Sequence, residues 1–381
     1  MAQQDELIVD SNGFSQVKEK LSEWGLWGNG TTSAEEDERL RLTLIKDLTD
    51  LPAYAERAKY GYRNEIEMLE KRTDRLFGDI DVLLYDLRVR FAAEAGRIPV
   101  AGKNRDTFIG YPQHKGYADP IPLEEEPSFT PGVQTSDSIR VGVVDTPFFR
   151  LPQFTEEIVT AGEGPSPDAN GHYDPLAGHS TFVVAKIHEE APDAHIVVKA
   201  GLDTGTGRNS VWETARKIAE FADTPIDVLN LSFGTRTDDA QPPLALRRAI
   251  DKVRAAHPDV IVVAAAGNRG HLPSPPLAIW PAAMTDVEAV STEASFAVVD
   301  RPWVEMIADG TDVDGFYLDG PVRLSRGITA FTGQATWSGT SFAAASVSGA
   351  VADQLRKYRK EPHKAVLAVL RGPIATAHRP T

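Results

Sequence analysis

Cysteine is absent from the 381-residue chain, which excludes disulfide staples, thiolate metal sites and a cysteine nucleophile. Absent too is any run near the ~18 consecutive apolar residues that a membrane span needs, so no membrane partner is expected. Positive charge is scarce: 40 Lys and Arg stand against 55 Asp and Glu, a formal net charge of -15. Phosphate backbones are held by clustered Lys and Arg, and without such a patch no nucleic-acid partner is expected. The opening Met1–Asp10, MAQQDELIVD, has neither the basic start nor the apolar core of a secretory signal. With no cysteine present, the expectation is a cytoplasmic protein.

What remains is an ordinary globular composition, 41% hydrophobic and 25% charged, in a chain long enough for one large domain and a smaller module. Residues 1–95 are expected to form an α-helical amino-terminal module. Leu40, Leu44 and Leu48, then Ile66, Leu69, Leu76, Ile80, Leu83, Leu84, Leu87 and Phe91 recur at threes and fours, the period of two or three amphipathic helices. Pro52 suits a first turn, and Gly61 and Gly78 suit breaks. Residues 96–136, rich in Pro and Gly with the acidic run Glu124–Glu126, are expected to be a linker or wrapping arm.

Residues 137–381 have a different texture. β-Branched runs at Ile139–Val144, Ile196–Val198, Ile226–Leu231 and Val260–Ala265 alternate with helical patterns at Val211–Phe221 and Leu244–Ala256. That alternation predicts an α/β fold with a doubly wound, mostly parallel sheet. In such sheets the functional groups gather beyond the carboxyl ends of the strands. Asp145 ends the first run, in VGVVDTP, where a partly buried carboxylate can accept an imidazole N–H. His179 follows in AGHSTFVVAKI, at the mouth of a helix, as a candidate general base. Ser341, in Ser338-Gly339-Thr340-Ser341, falls where a small-residue helix begins, and the unpaired N–H groups there favour an oxyanion. Asn268 closes the strand Val262–Gly267 and can donate its amide to the same oxyanion. Taken singly, each is also an ordinary cap, turn or surface residue.

Together, in this chain order, the four blocks resemble the subtilisin-like serine proteases over roughly Ser138–Lys357. The resemblance implies a serine endopeptidase acting through an acyl-enzyme, with Asp145 orienting, His179 as base then acid, Ser341 as nucleophile and Asn268 at the oxyanion. It also implies substrate rails at Gly205-Thr206-Gly207 and Ser232-Phe233-Gly234, pairing with an extended peptide. Two positions depart from the family pattern: Pro147 and Ser180 stand where Gly is usual. Ile279, before Trp280-Pro281, occupies a pocket-floor position that is often Gly, which predicts a small or medium residue before the scissile bond. Arg269 instead predicts an acidic one, through a charge-assisted bond. No cofactor is required and no metal ligand set stands out; the nearest thing to one is Asp309–Gly315, as a weak calcium site with unevenly spaced carboxylates. The expected partners are a peptide or protein substrate and a regulatory protein received by the amino-terminal helices. The alternative is a catalytically weak peptide-binding protein on the same fold.

Overall fold

A spacing of four, as in Leu40, Leu44 and Leu48, satisfies the period of a helix and that of a strand alike. The structure takes the second option at Leu42–Lys46. The computed structural model describes residues 6–28, 30–73, 76–110, 119–237, 241–270 and 278–358, together with 367; Pro112 and Gly116 of the expected arm, and the chain beyond 358 apart from 367, lie outside these.

The chain divides into two compact units. The first comprises Met1–Asp106 with Ser210–Ala219 and Thr237–Lys252. Its amino-terminal part is an antiparallel sheet of β1 (Leu7–Asp10), β2 (Ser33–Asp37), β3 (Leu42–Lys46) and β4 (Ala101–Lys103) in the order β2-β3-β1-β4. The helices are α1 (Phe14–Glu23), α2 (Leu51–Gly61), α3 (Arg63–Thr73) and α4 (Asp79–Ala95). Pro52 lies in the first turn of α2 and Gly61 ends it; Gly78 is the N-cap of α4, its N–H bonded to the Asp81 carboxylate at 3.1 Å. The expected helices are therefore present, but the module is not purely helical. A domain break between residues 95 and 96 also does not fit, because Ala101–Lys103 pairs with β1 and belongs to this sheet.

One core cluster joins Leu7 and Val9 of β1, Val17 and Leu21 of α1, Ile45 of β3 and Leu83 and Leu87 of α4. Burial of such side chains stabilises by roughly 1.5–3 kcal/mol each. Within the same unit, β2 presents Glu35 and Asp37 to Arg216 of α6 (Val211–Ala219) at 3.0 and 3.1 Å. Asp10 pairs with Arg248 of α7 (Leu244–Ala256) at 2.5 Å.

The second unit comprises Thr107–Asn209, Glu220–Arg236 and Val253–Thr381. Its seven-stranded sheet runs β14 (Met306–Ile307), β13 (Glu288–Ser291), β12 (Ile261–Ala265), β11 (Val228–Leu231), β7 (Arg140–Asp145), β9 (His195–Ala200) and β8 (Val159–Ala161). All neighbours are parallel. The apolar texture of β7, β11 and β12, interrupted in β11 by Asn230, is what burial on both faces requires. Helix α8 (Thr340–Lys357) packs across β7 and β11–β13, and α5 (His179–Glu190) packs against α8. A long hairpin of β15 (Val313–Leu324) and β16 (Gly327–Trp337), with β6 (Ile121–Pro122) on its edge, contacts α5. The order reverses at β7, whose neighbours β9 and β11 follow it in the chain, so the crevice lies beyond the carboxyl ends of these strands.

Candidate active site

Asp145 is the last residue of β7, at the reversal point, and is fully buried. Its Oδ1 accepts from His179 Nδ1 at 2.7 Å and from the Thr146 backbone N–H at 2.7 Å. His179 opens α5 directly after a 3₁₀ turn at Pro175–Gly178. Trp337 of β16 stands edge-on to the imidazole at 5.6 Å and Phe342 of α8 lies at 5.5 Å, so aromatic packing confines the ring between hairpin and helix. The departures Pro147 and Ser180 leave this pair intact: the Ser180 N–H donates to Thr146 Oγ1 at 3.3 Å.

Ser341 is the second residue of α8, behind the Gly339 cap. Its Oγ donates to the Ser232 carbonyl at 3.1 Å. Ser341, His179 and Asn268 line one small cavity together with Gly110. Asn268 follows β12, and its Oδ1 accepts from both the backbone N–H and the hydroxyl of Thr340, each at 2.9 Å. Only the carbonyl oxygen of an amide can accept from an N–H, so Thr340 fixes which way Asn268 faces. The Nδ2 is thereby aimed at the cavity, where it donates to the carbonyl of Gly110.

That carbonyl belongs to a segment expected to be linker. β5 (Asp106–Phe108) runs on through Ile109 to Gly110 between the two anticipated rails. Ile109 N–H donates to Gly207 O at 2.8 Å; Phe108 and Gly234 exchange N–H···O bonds at 2.8 and 2.9 Å. The Thr107 hydroxyl bonds Asn209 O at 3.1 Å, in β10 (Arg208–Ser210). A main chain paired with β10 on one side and bridged to Gly234 on the other, with one carbonyl facing an amide donor, has the form of strand addition to a groove. Of the first rail, Gly207 touches the segment; the N–H groups of Gly205 and Thr206 are held by Asp203 at 3.1 and 2.7 Å and shape the turn. Gly207 adopts φ +65°, and a Cβ there would also strike Leu176, so only glycine suits the position.

Beside Gly110 lies a second pocket, lined also by Phe233, Gly234, Arg236, Arg269 and Ile279. Phe233 is buried beneath it. Ile279 packs close against Gly234 in this lining: its Cγ2 would stand 2.6 Å from a Cβ there. Three guanidinium groups surround the Phe108 ring, those of Arg208, Arg236 and Arg269, at 5.9, 5.8 and 5.7 Å from its centroid. Burial, and then the charge of Arg269, pull the Arg236 pKa below its ordinary value.

Of the three carboxylates in Asp309–Gly315, two accept hydrogen bonds from hydroxyls: Asp312 from Ser338 at 3.1 Å and Asp314 from Thr336 at 2.5 Å. Among the described residues, no three His, Asp or Glu side chains converge as a metal site. No helix among them is long and apolar enough to cross a membrane.

Sequence reasoning missed three features of the site: Thr340 as the group orienting Asn268, Arg236 as a second pocket cation, and Phe108–Gly110 in the groove. Thr340 sits inside the Gly-Thr-Ser block and was readable as a helix-start hydroxyl. Nothing local marks the other two, which come to the site only through tertiary pairing.

A model of the subtilase family (Peptidase_S8) matches residues 136–372, and the chain belongs to that family; it is a serine-type peptidase, a hydrolase. Fervidolysin from Fervidobacterium pennivorans, a keratinolytic enzyme related to subtilisin, is similar in structure with a TM-score of 0.56 and 18% identity. That match covers 95% of this chain and 56% of fervidolysin, so the chain spans about half that protein's length. The protease domain of PatA is similar with a TM-score of 0.50 and 24% identity, over 63% of this chain and 89% of that one. Both likenesses show the fold. No curated protein matches the chain in sequence.

Proposed function

We propose that the chain is an endopeptidase that cleaves peptides bound in the groove between Gly207 and Ser232–Gly234. The observation that carries this is the 2.7 Å Asp145–His179 pair facing one cavity with Ser341 and Asn268. Asp145 holds the imidazole with its Nδ1 as the proton-bearing nitrogen, which leaves Nε2 as base. His179 takes the Ser341 Oγ proton as that oxygen bonds to the substrate carbonyl carbon. The oxyanion is received by Asn268 Nδ2 and the Ser341 backbone N–H. His179 then protonates the departing amine, leaving an acyl-enzyme; water, deprotonated by the same imidazole, releases the acid and restores Ser341.

Regulation belongs to the same reading. The groove is held by the chain's own Phe108–Gly110, just after Asp106, which closes the amino-terminal segment of the first unit. The enzyme is silent while that strand stays and active once it leaves, so whatever acts on the amino-terminal unit, a regulatory protein included, sets the activity. No cofactor takes part in these steps.

One observation favours the alternative of a catalytically weak peptide binder: the Ser341 hydroxyl is bonded to Ser232 O. The two are separated by a fluorophosphonate probe on the full chain and on Ser341→Ala, before and after limited proteolysis, with mass spectrometry of the adduct. Labelling at Ser341 that the variant lacks is the expected result; no labelling in any condition assigns the groove to binding alone.

A further inference from the structure

Arg236 and Arg269 flank the pocket beside Gly110, and their guanidinium groups are poorly compensated. The Nε of each is buried without a hydrogen-bond partner, and no ion pair to either occurs among the described residues. Their nearest compensation is the π-face of Phe108 at 5.7–5.8 Å. Such a contact offsets only part of what desolvating a cation costs. Two like charges facing one pocket raise that cost further, and the lowered Arg236 pKa has burial and Arg269 as its causes. Arginine is also the side chain whose forked donors match a carboxylate.

We propose that this pocket receives an acidic side chain, aspartate or glutamate, on the residue that precedes the scissile bond, its carboxylate shared by Arg236 and Arg269. The inference rests on the peptidase reading of the groove, which assigns Gly110 the place before the cut. Ile279 narrows the pocket against Gly234 and Gly267, so large aromatic side chains are excluded and the carboxylate is met by the two arginines. Lysine and arginine side chains are rejected by charge. The resident strand carries glycine at this place, so it fills the groove without satisfying the two cations and is the more easily displaced. Room exists for more: a Cβ on Gly110 would meet nothing nearer than 3.7 Å.

The resident strand itself supplies the test, in a form that needs no turnover. In the full-length Ser341→Ala chain, Gly110→Glu, Gly110→Asp and the neutral Gly110→Gln are compared by thermal unfolding, alone and combined with Arg236→Gln or Arg269→Gln. The expected result is a midpoint about 2–4 °C higher for the better acidic variant than for Gly110→Gln, with at least half that difference lost when either arginine is replaced. Acidic variants that melt with or below Gly110→Gln overturn the proposal, and so does a difference that survives the replacement of each arginine in turn. Because Ser341 is absent throughout, a failure here speaks to the pocket, while a failure of fluorophosphonate labelling speaks to the chemistry.

Discussion

The Asp86 cluster of the first unit and the Arg236–Arg269 pair of the second are built on opposite principles. In the amino-terminal unit the Asp86 carboxylate is fully buried and saturated: Tyr62 and the Arg90 Nε each donate to Oδ1 at 2.8 Å, and Tyr54 donates to Oδ2. Arg90 in turn lies over Trp24 at 4.7 Å, and Trp24 stacks on Tyr54 at 5.4 Å. Burial and the Asp86 charge push the Tyr54 phenol well above its usual range, so the hydroxyl remains a donor. In the second unit, Arg236 and Arg269 keep buried Nε groups without partners. The satisfied cluster holds a structure together, and the unsatisfied one holds a place for a ligand, since an unpaired buried polar group persists only where something else compensates it.

The comparison breaks first at Asp86. Asp86→Ala leaves two phenols and a guanidinium without their acceptor and is expected to cost about 3–5 kcal/mol of stability, measured by denaturant unfolding. A loss under about 1 kcal/mol would mean that the network is incidental.

Asn268 is intermediate, saturated by Thr340 on one side and open to the groove on the other. Asn268→Ala should lower kcat about 10²–10³-fold with KM little changed. A rise in KM alone would reassign Asn268 to ground-state binding.

Arg236→Gln is expected to leave the melting temperature unchanged or raised, because it removes a desolvated cation and no ion pair seen among the described residues. A drop comparable to that of Asp86→Ala would show the arginine to be structural.

The smallest effect is expected at His188, whose ring stacks on Phe129 at 4.8 Å and whose Nε2 meets Thr130 O at 3.0 Å. Burial lowers its pKa, against the opposing pull of the Thr130 carbonyl and the Asp193 charge. The unfolded chain therefore takes up a proton near pH 6.5 that the folded chain refuses. Stability is full above that pH, falls as pH drops through it towards the folded-state pKa, and levels off below. His188→Gln should flatten that part of the stability profile, and an unchanged slope would assign it to other groups.

Self-cleavage adds a check on the groove itself. Once the resident strand is attacked, mass spectrometry should find a new amino terminus at Tyr111 in the native chain and none in Ser341→Ala. A cut elsewhere would mean that Gly110 does not lie before the scissile bond.

Much of the peptidase half was legible because its signals are local. β7, β9, β11 and β12 are short β-branched runs at the anticipated places, and α7 spans the anticipated Leu244–Ala256. The amino-terminal region was harder to read. Leu40 to Leu48 carry a spacing that two periodicities share, and Ala101–Lys103 becomes a strand only by pairing with β1. The β15–β16 hairpin, which supplies Trp337 against His179, was not anticipated because its residues alternate irregularly around a register shift between Phe316 and Asp319.

By itself, the sequence determined the family, the order of the four motif blocks and the strand and helix alternation that sets them at the carboxyl edge of a parallel sheet, because each is written within a few consecutive residues. Only the tertiary structure decided that Thr340 turns the Asn268 amide towards the groove, that Phe108–Gly110 lies in it, and that Arg236 and Arg269 share one pocket. Those are pairings across tens to more than a hundred residues. Their energies depend on burial and on what stands opposite, which no local pattern of residues encodes.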